Sequence, residues 1–245
     1  MSLPAVAVQA LHYSYPDGQA ALRGVSFSLQ PGETVGLIGS NGAGKSSLLL
    51  QLNGVLLPSA GQVWVQGIPV DGAHLVAVRR HVGMVFQDPD DQLFMPTVQE
   101  DVAFGPINLG LSAAEVQARV AQALATVGAS HLASRAPHRL SGGEKRAVAI
   151  AGVLAMNPSV LLLDEPSAGL DPAARRRLIT LLAGLSLTQL IASHDLDLVQ
   201  DLCSRVLVMR EGVLEADATP GIIFADAPLL ARCHLELPLG LQRQS

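Results

Sequence analysis

The stretch VGLIGSNGAGKSSLLLQLNG, residues 35–54, constrains this chain more than any other. A short apolar run leads into Gly39, Ser40, Asn41, Gly42, Ala43, Gly44, Lys45 and Ser46, the helical apolar run SSLLLQLNG follows, and Ser47 counts with the loop as a nucleotide-binding residue. The pattern G-x-x-x-x-G-K-[ST] between a strand and a helix is a phosphate cradle. Its glycines let backbone N–H groups close around phosphate oxygens, and the helix N-terminus adds the positive end of its dipole. Lys45 is placed for the outer phosphates, and Ser46 for the Mg²⁺ that accompanies them.

With 245 residues, 49% hydrophobic and 15% charged, the chain can bury one large α/β domain or a domain carrying an inserted lobe. Strands are expected at VAVQALHY, VSFSL, VGLI, QVWVQGIPV with a turn at Gln66-Gly67, VGMVF, VLLLD, LIAS and RVLVM. Several are continuous apolar runs, as in a sheet covered on both faces. Between Gln87 and Asn157 helical signals take over. Ser112 and Glu115 form a capping box, Val116, Val120, Leu124 and Val127 make one stripe, and Gly128 stops the helix. The expectation is a P-loop core (1–87 and 158–215) with a mostly parallel sheet and an N-terminal antiparallel β region. A helical lobe at 88–157 interrupts it, and a tail (216–245) follows, all within one domain, 1–245.

Mean hydropathy is high, +0.36, yet the most apolar stretch, AVAIAGVLAMNPSVLLL, is broken at Asn157-Pro158 and cannot span a membrane unbroken. MSLPAVAV lacks the features of an export signal, so a cytosolic chain is expected. A net charge of −5 argues against nucleic acid as a partner. Arg175, Arg176 and Arg177 follow Asp171-Pro172 and read as a solvated helix face. Cys203 and Cys233 lack metal or redox spacing and read as buried, inert thiols.

VLLL ends at Asp164-Glu165, which puts two carboxylates at the carboxyl end of a strand, the ligand side of a parallel sheet. Asp164 suits the metal and Glu165 the attacking water. Leu140-Ser141-Gly142-Gly143-Glu144 then opens an apolar helix and is a second anion-binding helix N-terminus. One phosphate chain already has its cradle. A second makes sense for a nucleotide held by another copy, with the site assembled between two chains.

Together the phosphate loop, Gln87 after a strand, LSGGE, LLLDEP, SAGLD at 167–171 and His194 in IASHD resemble the ATP-binding-cassette (ABC) ATPases, in that family's order and over nearly the whole chain. The resemblance implies ATP and Mg²⁺ as ligands. It gives Tyr15 the role of the aromatic that stacks on adenine, in preference to Tyr13 because Tyr15 stands beside the Pro16-Asp17-Gly18 turn. It makes Gln87 a sensor of metal and water, Asp171 a contact across the dimer, and His194 a switch at the γ-phosphate. Ser141, Gly142 and Gly143 would face the partner's nucleotide, with Glu144 where glutamine is commoner.

The segment QDPDDQLFMPTVQEDVAFGPINLGLSAAEV and the ending LLARCHLELPL further resemble energy-coupling-factor (ECF) ATPases, especially the CbiO type of cobalt or nickel uptake systems. That implies a homodimer on the cytoplasmic face of the membrane. Its region from Gln87 to Phe94 would meet an integral-membrane scaffold (T) component working with a substrate-binding (S) component. The alternative reading is a soluble, non-transport ABC ATPase, such as one serving iron–sulfur assembly.

Overall fold

The computed structural model describes residues 3–242, so the ends of the expected domain, 1–2 and 243–245, lie outside the described residues. Strands β1 (Val6–Ser14) and β2 (Ala20–Leu29) pair antiparallel. β3 (Thr34–Ile38) runs through the phosphate loop into helix α1 (Lys45–Leu52). β4 (Ala60–Val65) and β5 (Ile68–Pro69) form the expected hairpin, with Gln66 and Gly67 both at positive φ, as a tight two-residue turn requires. α2 (Leu75–His81) and β6 (Val82–Val85) follow.

Three helices then run without a strand between them: α3 (Val98–Asn108), α4 (Ala113–Thr126) and α5 (Gly142–Ala155). Ser112 and Glu115 form the expected capping box, and Gly128 (φ 70°) ends α4. The chain returns through β7 (Val160–Asp164), α6 (Pro172–Ala183), β8 (Thr188–Ala192), α7 (Leu196–Leu202), β9 (Arg205–Arg210) and β10 (Val213–Ala218). It closes with α8 (Pro220–Ala225), α9 (Ala227–Arg232) and α10 (Leu239–Gln242).

One sheet has the order β2-β1-β4-β5 and is antiparallel; the other has the order β10-β9-β3-β8-β7-β6 and is parallel except at β10. The alternation of side chains along its strands divides two cores. Val160, Leu162, Leu190, Ala192, Leu207 and Met209 face the antiparallel sheet and α1, whereas Leu161, Leu163, Ile191, Val206 and Val208 face α5, α6, α7 and α8. A third core lies among α3, α4 and α5, where Leu124 is buried and Val120 and Val127 pack beside it. β10, α2 and the closing helices are absent from the sequence expectation. The segment expected as a tail from 216 begins inside β10, and Ile223, Phe224, Leu229 and Leu230 are buried in the second core.

Candidate nucleotide site

Four parallel strands deliver the site. Neighbouring β3, β8, β7 and β6 leave the sheet at the same edge, so the phosphate loop, His194, Glu165 and Gln87 stand in that order along it. Adjacent strands lie ~4.8 Å apart, which brings residues distant in sequence within reach of one small ligand.

In the loop, a Cβ at Gly39 would meet the Met209 carbonyl oxygen at 2.2 Å, and one at Gly44 would meet that of Ala21 at 2.6 Å. Gly44 also takes φ 103° as the N-cap residue of α1. Only glycine fits either position, which is how the sequence forces the loop to curl. Lys45, almost fully buried, donates to the carbonyls of Gly39 (2.7 Å) and Ser40 (3.3 Å) and so lies bent over the loop.

Asp164 ends β7 with its side chain buried. The Ser46 hydroxyl bonds to the carboxyl group, while Oδ1 has no hydrogen-bond partner. Burial pushes its pKa above the ordinary carboxylate range, and Ser46 and Lys45 oppose that shift. An orphaned, desolvated carboxylate oxygen beside a serine hydroxyl, with Gln87 on the same cleft, fits a hard divalent cation. Glu165 holds φ 46° with its N–H bonded to the Ala192 carbonyl at 2.8 Å. Its Oε2 accepts the backbone N–H of His194 (3.0 Å) and lies 2.7 Å from His194 Nδ1. The carboxylate is thereby aimed, and the ring leaves Nε2 available to the cleft.

Tyr15, Gly39 to Ser47, Gln87, Asp164, Glu165 and His194 line one cleft of about 1020 Å³. The Tyr15 hydroxyl bonds Ser47 Oγ at 2.8 Å, and the Tyr13 ring meets Tyr15 edge-on at 5.0 Å while packing on the first core. Tyr15, not Tyr13, therefore lines the cleft. Ser141, Gly142, Gly143 and Asp171 do not line this cleft. Ser141 and Gly142 are exposed at the start of α5, a Cβ at Gly143 would come within 3.1 Å of the Ala174 side chain, and Asp171 caps α6 at Ala174 N. The turn and Asp171 form a second surface on the same chain.

Glu144 closes a capping box: its Oε2 accepts from Ser141 N (2.7 Å) and Ser141 Oγ (2.8 Å). The backbone bond from Ser141 holds the Glu144 carboxyl below its ordinary range. A glutamate here serves the helix start, as glutamine would, and adds a negative charge beside the turn.

Three features escaped sequence reasoning. Arg146, 3% exposed, donates to the carbonyls of Phe86 (2.7 Å) and Gln87 (2.6 Å); its place directly before the apolar run AVAIAG was the signal. Arg175 departs from the solvated face expected of it. It makes a two-pronged pair with Asp195, which caps α7 directly after His194, while Arg176 and Arg177 are exposed. His234 to Leu239 lie against the nucleotide cleft, and the N–H groups of Leu239 and Gly240 bond Asp197. Cys203 and Cys233 are free and buried, and burial pushes the Cys203 thiol up to about 12, out of reach of neutral-pH chemistry.

The segment after Gln87 is a short 3₁₀ turn, Pro89–Asp91, capped by Asp88. Asp90 pairs with Lys145 of α5 at 2.6 Å, so its charge is satisfied within the chain. Asp91, Leu93 and Phe94 instead line a groove of about 500 Å³ with Phe104 and Met156, where the exposed rings of Phe94 and Phe104 meet edge-on.

Sheet order, phosphate loop and carboxylate pair define a P-loop ATPase. The ABC transporter family model matches residues 22–168, and the chain belongs to that family. A Geobacter sulfurreducens relative whose name places it among ABC transporter ATP-binding proteins is 57% identical over 242 residues, covering 99% of this chain and 97% of its own. The energy-coupling factor transporter ATP-binding protein EcfA of Methanothermobacter thermautotrophicus is 52% identical, covering 95% and 76%. Among solved structures, CbiO1 of Clostridium perfringens, described as part of the ABC transporter complex cbiONQ, superposes with a TM-score of 0.85 at 39% identity over all of both chains. A dimeric ATP-binding cassette, MJ0796, in a post-hydrolysis state with ADP and Pi, gives 0.78 at 27% identity over 88% of this chain and 98% of that one. No helix among the described residues is long and apolar enough to cross a membrane.

Proposed function

We propose that two copies of this chain sandwich two ATP molecules and power an ECF-type importer for cobalt or nickel ions from the cytoplasmic face of the membrane. The observation that carries the two-copy reading is the separation of the phosphate loop from the turn Ser141–Gly143. The cradle lies in one cleft, while the turn Ser141–Gly143 is exposed outside it beside the Asp171 cap. A second chain brings that turn to the first chain's γ-phosphate.

Ser46, Asp164 and Gln87 would hold Mg²⁺, which neutralises charge on the β- and γ-phosphates. Lys45 turns from its carbonyls to the phosphates, and Tyr15 offers its ring to the adenine. Glu165, aimed by His194, accepts a proton from the attacking water. ATP favours the closed pair through the contacts made by Ser141, Gly142 and Gly143, which the open state lacks. The name of EcfA, the complex described for CbiO1, and an exposed aromatic groove beside Gln87 support a membrane scaffold with its substrate-binding component as partner. They weigh against an iron–sulfur assembly role.

Sizing of Glu165→Gln with and without ATP tests the sandwich: an ATP-dependent dimer is expected, and a monomer under both conditions would sink it. Purification from detergent-solubilised membranes tests the importer. Hydrophobic transport subunits should accompany the chain, whereas soluble scaffold proteins in their place would restore the alternative.

A further inference from the structure

α5 carries the Ser141–Gly143 turn at its start, and one turn later its Arg146 reaches back to the backbone of Gln87. β6 is the edge strand of its sheet, so the carbonyls of Phe86 and Gln87 just beyond it leave the ladder without strand partners. Both are taken by one guanidinium, Nη1 to Phe86 at 2.7 Å and Nη2 to Gln87 at 2.6 Å. Two further bonds fasten the same segment to the same helix: Gln92 Nε2 donates to the Ala149 carbonyl at 2.9 Å, and Lys145 pairs with Asp90.

Arg146 is a costly way to satisfy two carbonyls. It is 3% exposed, its Nε has no hydrogen-bond partner, and the groups it holds are neutral. Asp88 acts on the guanidinium only at a distance and does not overcome the effect of burial; burying a charge with no carboxylate bonded to it is unfavourable, and uncharged side chains could satisfy single carbonyls at less cost. What the planar fork adds is geometry, since two donors fixed in one plane set the angle of the Gln87 backbone relative to α5, which a lysine cannot do.

We propose that Arg146 is a positioning residue that makes Gln87 and the Ser141–Gly143 turn one rigid piece and thereby links the two ATP sites of the dimer. The proposal rests on the two-copy reading above. In that arrangement Gln87 serves the nucleotide in its own cleft and Ser141–Gly143 the nucleotide in the partner's. A shift of Gln87 on loss of the γ-phosphate pulls α5, and with it the turn that closes the other site. Occupancy of one site is then felt at the second through this joint, in which Arg146 is the contact made to Gln87 itself.

The test compares Arg146→Ala and Arg146→Lys with wild type, reading ATPase rate against ATP concentration, and sizes each change in a Glu165→Gln background. Wild type is expected to be cooperative in ATP. Arg146→Ala should keep nucleotide binding to the single chain, lose roughly ten- to hundredfold in kcat through misplacement of reacting groups, and fall towards a Hill coefficient of 1. Arg146→Lys should keep the fold and the charge but still lose cooperativity, so it carries the test if the alanine variant unfolds. If the Glu165→Gln background dimerises with ATP while folded Arg146→Lys keeps wild-type kcat and cooperativity, the proposal is overturned alone. A background that never dimerises overturns the two-copy reading and the proposal with it.

Discussion

Glu165 Oε2 accepts the backbone N–H of His194 at 3.0 Å and stands 2.7 Å from the same residue's Nδ1, so the carboxylate just beyond β7 is oriented by a residue two positions beyond β8. Replacing Glu165 by glutamine removes the proposed proton acceptor. Hydrolysis should fall by roughly 10²–10⁴-fold with ATP binding retained. His194→Ala should slow hydrolysis as well, because the carboxylate loses the Nδ1 contact that aims it. Single-turnover hydrolysis beside nucleotide titration checks both.

Tyr15 and Tyr13 touch each other yet should fail differently. Tyr15→Ala removes the ring at the cleft and should weaken ATP binding by roughly five- to a hundredfold, the range of a lost base stack. Tyr13→Ala, which strips a ring packed on the first core, should lower the melting temperature with less effect on nucleotide affinity. Fluorescent-nucleotide titration and thermal unfolding separate the two.

Asp164 predicts a proton signal on binding. Burial raises its pKa in the folded chain above the unfolded value. Its contribution to stability is therefore fully present below the ordinary carboxylate pKa of about 3.9 and is lost as pH rises through the raised value. A divalent cation at the orphaned Oδ1 favours the ionised form. Binding of the Mg²⁺–nucleotide complex in that window should release a proton that binding without metal does not. Calorimetry in buffers of different ionisation enthalpy measures it, and Asp164→Asn should abolish the difference.

Glu144→Gln should preserve the capping box while removing the charge beside the turn. The helix start should weaken by up to about 1 kcal/mol, the charge–dipole term at a helix N-terminus. The ATP-driven dimer should tighten, because the γ-phosphate then approaches a neutral side chain. Since Glu144 is held below its ordinary range, the charge-dependent part of its contribution is present above the unfolded carboxylate pKa and lost as pH falls through the lowered value. Thermal unfolding across acid pH and analytical sizing at neutral pH check the two effects.

In the groove, the acidic pair Asp90 and Asp91 should divide. Asp91→Lys, or Phe94→Ser with Phe104→Ser, should reduce recovery of membrane partners with basal ATPase retained. Asp90→Lys should instead lower basal ATPase, since it sets two positive charges together at Lys145 and disturbs the segment that carries Gln87. Pull-down from membranes beside ATPase assays of the purified chain distinguishes them.

Motif chemistry is local, which is why much of the site was legible. The glycines of the phosphate loop, Asp164-Glu165 at a strand end and the Ser112–Glu115 box each express a rule that acts over a few residues. Strand cores were legible for the same reason, as VLLLD became β7 residue for residue. β10 was missed because its residues are only partly buried and LEADA carries little apolar periodicity. Arg175 looked like its two neighbours because nothing in a run of three arginines says which one meets Asp195 twenty residues away.

The sequence by itself determined that a phosphate-loop pattern, a carboxylate pair and a second glycine-rich helix start lie on one chain of α/β type, because each is written in adjacent residues. Only the tertiary structure decided which of these share a cleft, for that depends on the order β3-β8-β7-β6 and on where each strand ends. It also decided that Asp90 belongs to α5 while Asp91 faces the groove, and that a buried Arg146 joins α5 to Gln87. Those contacts span more than fifty residues and follow from packing, which no local pattern encodes.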